Sequence, residues 1–198
     1  TADRMALAGG TVDAGAGGVT LLTTAGHAID LGSATDVAAN TLELSDAELD
    51  TITAGSVTIG DAAAGAVTIS SAISTATPLT LVTGSTVTQS ASLAADDLTV
   101  TADGAITLTN AANDFDTLTA TSATGTIAVV DADGLTLDGL TTTNADASVT
   151  ATAITNSGAI ATAGGDVTLT ADRMALAGGT VDAGAGGVTL LTTAGHAI

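Results

Sequence analysis

Three short acidic clusters hold the densest chemistry in this sequence: Asp96-Asp97, Asp114-Phe115-Asp116 and Asp131-Ala132-Asp133. Carboxylates at such spacing suit two kinds of chemistry. A hard divalent cation takes several oxygen ligands at once, so Asp96, Asp97, Asp114, Asp116, Asp131 and Asp133 are the candidate ligands of weak Ca2+ sites. A pair of carboxylates can also cleave a glycosidic bond, one acting as acid and the other as base or nucleophile. A catalytic site needs convergent polar groups in a pocket, and sugar sites add aromatic platforms. This chain has a single aromatic residue, Phe115. No catalytic residue is expected, and Ca2+ is the one cofactor worth testing. The simpler role for most of these acids is mechanical, because Asp favours turns and tolerates left-handed backbone.

The other ionisable groups add little. His27 and His196 occupy the same position of a sequence repeat, as do Arg4 and Arg173. Zinc wants three or four nitrogen or sulfur ligands, and there is no cysteine; a lone histidine after Gly26 therefore reads as a corner residue. Arg4 beside Asp3 reads as a surface pair worth about 0–1 kcal/mol, or as a contact between neighbouring fibres. The calcium-binding nonapeptide pattern is not matched at Gly9-Gly10-Thr11-Val12-Asp13. Phe115 reads as a stacking plug in the core or as a loop anchor. Asn110, Asn113, Asn144 and Asn156 lie near turns, and although stacked Asn can form ladders, their spacing is not one rung length.

What positions these groups is a repeat. Residues 1–29 recur without one change as residues 170–198. Residues 1–169 are thus one full repeat and 170–198 the start of the next, with no separate globular domain. Both ends fall in mid-pattern and carry no visible cap, although solenoids need capped ends; the expectation is a parent protein that continues in both directions. The start is not a signal peptide, and no stretch approaches the apolar length of a membrane-spanning helix.

Inside the repeat runs a shorter rhythm. Triplets of the form apolar-polar-apolar recur, among them Val57-Thr58-Ile59, Leu79-Thr80-Leu81, Leu98-Thr99-Val100, Ile106-Thr107-Leu108 and Val167-Thr168-Leu169. That alternation marks half-buried strands, and Thr, Val and Ile favour them. Gly-Gly and Asp-Gly pairs between them mark turns. Val57 to Leu79 is 22 residues, Leu79 to Leu98 is 19, Leu98 to Leu118 is 20, and Ile106 to Ile127 and Val167 to Val188 are 21 each. The spacing predicts an all-β solenoid of about ten rungs of about 20 residues, each rung covering the apolar side of the last. The one helical candidate is Ser45–Asp50, where Ser45 and Glu48 make a capping box.

Composition agrees. Apolar residues form 45% of the chain and aromatics 1%, so the interior must be narrow and built from many small contacts. There are 21 acids against 2 basic residues, a net charge of −19. Such a chain repels nucleic acid and anionic membranes.

Two runs resemble a known family. Ala8-Gly9-Gly10-Thr11-Val12-Asp13-Ala14-Gly15 with Gly18-Val19-Thr20-Leu21, and Leu42-Glu43-Leu44-Ser45-Asp46-Ala47-Glu48-Leu49 with Val57-Thr58-Ile59-Gly60, are similar to repeats of the filamentous-haemagglutinin-like giant adhesins. The resemblance implies a right-handed parallel β-helix, export to the outer surface of a Gram-negative bacterium, commonly by two-partner secretion, and work in adhesion, biofilm or surface filaments. The family's amino-terminal secretion region is not in this sequence. The expected function is a structural segment of an extracellular fibre or adhesin stalk, not an enzyme. Its expected partners are copies of itself, end to end and side by side. The alternatives are an ice- or crystal-binding solenoid, for which the outward threonines read as too irregular, and a polysaccharide-acting β-helix.

Overall fold

The structure, a computed structural model, describes residues 1–193. The chain opens with β1 (Val12–Asp13), β2 (Gly18–Leu21) and β3 (Ala28–Leu31). It then leaves the coil for β4 (Thr41–Leu44) and a single helical turn, α1 (Asp46–Leu49), and returns with β5 (Ile52–Thr53), β6 (Ser56–Asp61) and β7 (Val67–Ile69). Next come β8 (Ile73–Thr75), β9 (Leu79–Thr83) and β10 (Val87–Gln89), then β11 (Leu93–Ala102) with β12 (Ile106–Leu108), and β13 (Asp114–Ser122) with β14 (Ile127–Val130). The stack continues through β15 (Gly134–Thr141), β16 (Ala147–Thr150), β17 (Ala153–Ala161) and β18 (Val167–Thr170), and ends in β19 (Arg173–Ala175), β20 (Thr180–Asp182) and β21 (Val188–Leu191).

The result is a parallel β-solenoid of about seven turns with essentially no helix. One sheet runs β21-β18-β16-β14-β12-β10-β7-β3-β4, and the other β19-β17-β15-β13-β11-β9-β6-β2, with β20 on β17 and β8 on β11. Every paired strand is parallel, as coiling in one direction requires, and each turn stacks on the one before. The pairs Val57 with Leu79, Leu79 with Leu98, Leu98 with Leu118, Ile106 with Ile127 and Val167 with Val188 are all direct register partners. Turn length is therefore the one the sequence spacing gives.

The number of turns falls short of ten, and about one turn of the shortfall comes from a long first turn. Ile29 pairs with Val67 and Val19 with Val57, in each case across nearly twice the interval of the later turns. The surplus is the excursion through β4 and α1. It begins at Gly32, whose φ of +110° carries the chain so close to Ser71 that a Cβ there would lie 2.3 Å from the Ser71 nitrogen. β4 then pairs with β3 on the edge opposite β7. β4 covers one end of the nine-stranded sheet, where the sequence alone showed no cap, while α1 lies against β8 through the Ser74 N–H to Asp46 hydrogen bond.

The core is one continuous column of stacked side chains. Ile59, Leu81, Val100, Ala120, Leu140 and Ile160 lie on successive strands, and all are buried. Burying each large aliphatic side chain among them contributes about 1.5–3 kcal/mol. Phe115, the largest, is fully buried. Where a strand must bend, two consecutive residues face outward: Asp96 and Asp97 are both exposed between buried Ala95 and Leu98. Among the described residues no helix is long and apolar enough to cross a membrane.

Candidate functional site

The six candidate acids fall into two groups. Asp96, Asp114 and Asp116 line an open pocket of about 200 Å3 with Ser74, Thr75, Ala76, Ala94 and Ala95. Their carboxylates project from neighbouring turns, since Ala94 pairs with Asp114 and Asp97 with Thr117. Asp97 is exposed but does not line that pocket. Among the described residues no group of three or more His, Cys, Asp or Glu is arranged to hold a metal ion. Phe115 belongs to the core, so no aromatic ring faces the pocket.

Asp131 and Asp133 shape a corner. Asp131 is buried, and its two oxygens accept the backbone N–H groups of Phe115 at 2.8 Å and Asp133 at 3.1 Å. Burial raises its pKa above the ordinary value, against those two hydrogen bonds, and the charges of Asp133 and Asp114 add to the rise. Asp133 in turn accepts from Gly134 N–H. Other aspartates do the same at exposed turns: Asp13, Asp61 and Asp182 each accept the N–H of the residue two places on. These are Asx turns, the mechanical role expected of them.

A polar node sits inside the core. Gln89 ends β10 beside Ile69 of the neighbouring turn, a column otherwise apolar. Asn113 lies next to it and is fully buried. Its amide donates to Gln89 Oε1, Leu108 O and Val130 O at 2.9, 3.1 and 3.0 Å, and its oxygen accepts from Gln89 Nε2 at 2.8 Å and Leu93 N at 3.0 Å. Gln89 also accepts from Asn110 N and donates to Ala91 O. A buried polar network fully satisfied in this way fixes one arrangement. The sequence signal was faint: Asn110 and Asn113 read as turn residues at no rung spacing.

The excursion is held by two buried glutamates. Glu48 completes the expected capping box with Ser45 and also accepts Leu7 N–H at 3.0 Å, tying residues before β1 to α1. Burial pushes its pKa up, but the Ser45 and Leu7 donors outweigh that and the net shift is downward. Glu43 accepts from the Ser33 hydroxyl, from Thr35 Oγ1 at 3.2 Å and from Ala38 N at 2.6 Å, and these donors, Ser33 foremost, lower its pKa. Asp36, at φ +48°, is raised by burial and by the charges of Glu48 and Glu43. In sequence Glu43 looked like one outward residue of a strand; its shelter comes from the loop that folds over it.

The remaining charges differ from expectation in their partners. Asp3 Oδ1 lies within hydrogen-bonding distance of His27 Nδ1, at 2.8 Å, while Arg4 donates to Val37 O at 3.2 Å rather than pairing with Asp3. His196 lies outside the described residues. The outward threonines prove ordered rather than irregular. Thr20, Thr58, Thr80, Thr99 and Thr119 stand in one column across successive turns, and Thr101, Thr121 and Thr141 form a second. No family model matches this chain, and no match was found among curated proteins or solved structures.

Proposed function

We propose that this chain is a structural segment of a long extracellular fibre or adhesin stalk, of the kind its resemblance to filamentous-haemagglutinin-like repeats implies. The observation that carries the reading is the unchanged recurrence of residues 1–29 as residues 170–198, in a chain whose second copy stacks on the first unit through β19, β20 and β21. A fold that adds units along one axis gains length, not bulk. Axial hydrogen bonds and a continuous core give stiffness, and the net charge of −19 keeps neighbouring fibres apart or lets cations bridge them. The role is mechanical and not catalytic, at the outer surface of a Gram-negative cell, with copies of itself as end-to-end and lateral partners.

Chains of one, two and three tandem units test this. At ~4.8 Å per strand spacing, each unit of about seven turns should add roughly 30–35 Å to the particle length, at constant width. Growth in all dimensions, as in a compact globule, refutes the proposal.

A second reading, binding to ice or another crystal surface, is favoured by the threonine columns. A flat face of regularly spaced hydroxyls can match a repeating lattice. The rows that carry both columns are short, however: beside Thr80 the second column holds Val82, and beside Thr119 the next turn holds Gly139. Thermal hysteresis decides between the readings. A freezing-point depression abolished by Thr99→Leu and Thr119→Leu would establish the second one.

A further inference from the structure

Asp is followed by Gly at Asp103-Gly104, Asp133-Gly134 and Asp138-Gly139, and Asn nowhere precedes Gly. Such pairs can rearrange, because glycine has no Cβ to hinder ring closure onto the preceding carboxyl. The glycine nitrogen attacks Cγ, a five-membered succinimide forms, and water reopens it as aspartate or as isoaspartate. The fold treats the three nitrogens differently. Gly104 N–H donates to Ser85 O at 2.7 Å, across neighbouring turns. Gly139 stands in register between Thr119 and Ala159, and the Asp138 carboxylate accepts the Ser157 hydroxyl at 3.2 Å.

Gly134 is placed otherwise. Its N–H donates to the carboxyl of Asp133 itself, the group it has to attack. Both residues are exposed, so water reaches the ring. A Cβ at Gly134 would meet only Ala153 Cβ, at 3.9 Å, so the backbone has room to turn. The carbonyl of the same peptide is loaded with donors: Asp133 O accepts Thr152 N–H and Thr152 Oγ1, each at 2.6 Å, and Ala153 N–H at 3.2 Å. When the Gly134 nitrogen loses its proton, charge spreads to that oxygen, and donors already aimed at developing charge stabilise it. Asp103 O also has two donors, both from Thr124, but the Gly104 nitrogen is held by Ser85.

We propose that Asp133-Gly134 is a site of self-modification: in the folded chain Asp133 closes to a succinimide and reopens as isoaspartate, with Thr152 as the residue that positions and polarises the reacting peptide. The step balances within the chain and its solvent. The Gly134 nitrogen gives up its proton and bonds to Cγ; the carboxyl, in its neutral form, loses its hydroxyl, and the two leave as one water. A second water then adds to either ring carbonyl and breaks its bond to nitrogen. Nothing is oxidised or reduced. Breaking the bond on the α side leaves a main chain that runs through Cγ, one atom longer, at the corner carrying β14 into β15. The carbonyl that accepted from Thr152 and Ala153 then becomes the free carboxylate, so the net charge is unchanged while a contact between turns leaves the main chain.

Incubating the whole chain in water carrying the heavy oxygen isotope tests this, because every reopening of a ring leaves one heavy atom at that residue. Peptide mapping by mass spectrometry then reads every Asp-Gly pair in one sample, with the urea-unfolded chain as reference. In the folded chain Asp103 and Asp138 need a local opening before they react, so each should label about tenfold more slowly than when unfolded. Asp133 should label at or above its unfolded rate, and its isoaspartate peptide should appear first. Thr152→Val should slow labelling at Asp133 about threefold or more and leave Asp103 unchanged. Thr152→Ser, which keeps the hydroxyl, should restore the rate, a rescue that a merely structural role does not give. Equal labelling at Asp103, Asp133 and Asp138 in the folded chain, or a slowing of Asp133 on folding as large as that of Asp103, overturns the proposal. An unchanged rate in Thr152→Val overturns the part given to Thr152.

Discussion

Asn113 and Asn156 offer a controlled comparison, because both are fully buried and equal in volume but differ in hydrogen bonding. Asn113 makes five side-chain hydrogen bonds to Gln89, Leu93, Leu108 and Val130. Asn156 donates one, to Thr180 O at 3.2 Å, and its Oδ1 is buried without a partner. Truncation to alanine leaves a similar cavity at both sites, so the difference isolates the polar contacts. A net intramolecular hydrogen bond contributes about 0.5–1.5 kcal/mol, and a buried group stripped of its partner costs about 1–3 kcal/mol. Asn113→Ala strands the Leu93 N–H and opens the Gln89 amide, so its polar loss is about 3–5 kcal/mol. Asn156→Ala loses one long bond and removes an unsatisfied oxygen, a polar change of about 1 kcal/mol or less. Urea denaturation followed by far-ultraviolet circular dichroism should therefore place Asn113→Ala below Asn156→Ala in stability, by a margin of about 2 kcal/mol or more. If the two variants unfold together, the node does not hold the core in the way its geometry implies.

The remaining predictions concern the excursion, pH, the backbone and cations. Glu48→Ala removes the acceptor for Leu7 N–H and the capping box; hydrogen exchange should accelerate in residues 1–8 and 45–51 by roughly 2 kcal/mol of local stability, with residues 98–140 unchanged. Glu43 and Glu48 are lowered in the folded chain, so their contribution is complete above the ordinary carboxylate range and is lost as pH falls through their folded values. Asp131 is raised, so its corner gains stability on acidification and loses it as pH rises through its folded value. Exchange measured from pH 6 to 3 should show the excursion loosening while residues 113–133 tighten relative to the rest, and the opposite order refutes the assignment. Gly60 has φ +84°, and a Cβ there would meet Val82 O at 2.2 Å; Gly60→Ala should lower the melting temperature more than Gly134→Ala, whose Cβ meets only Ala153 Cβ at 3.9 Å. Calcium chloride should raise the melting temperature no more than sodium chloride of equal ionic strength, by screening alone. A calcium-specific rise lost in Asp96→Asn/Asp116→Asn would establish a bound ion.

Much of the fold is legible in the sequence because a solenoid is quasi-one-dimensional: each strand needs only its neighbour one turn away. The interval between like triplets is then the register itself, which is why Val57, Leu79, Leu98 and Leu118 pair as their spacing says. Ser45 and Glu48 were readable for a similar reason, since a capping box is local. What was not legible is everything that leaves the one-dimensional rule. The excursion through β4 has the same alternating pattern as a coil strand, yet Thr41–Leu44 runs parallel to β3 on the edge opposite β7, 13 residues on rather than a full turn. Glu43 gains its donors from Ser33, Thr35 and Ala38, on a loop whose path no spacing encodes. Gln89 and Asn113 meet across turns at an interval of 24 residues, outside the rung length.

The duplicated segment shows where that rule ends. Sequence can fix which residues of a strand face inward, because the alternation in Val-Thr-Leu is intrinsic to the strand. It does not fix which sheet the strand joins, because both sheets present the same kind of apolar column to it. Val19 and Val188 are chemically one residue, but one rests on Val57 and the other on Val167. At the β3 end, β4 occupies the edge that a further strand would need. At the other end of the same sheet the last strand is β21, which pairs with β18 on one side and with no further strand among the described residues on the other.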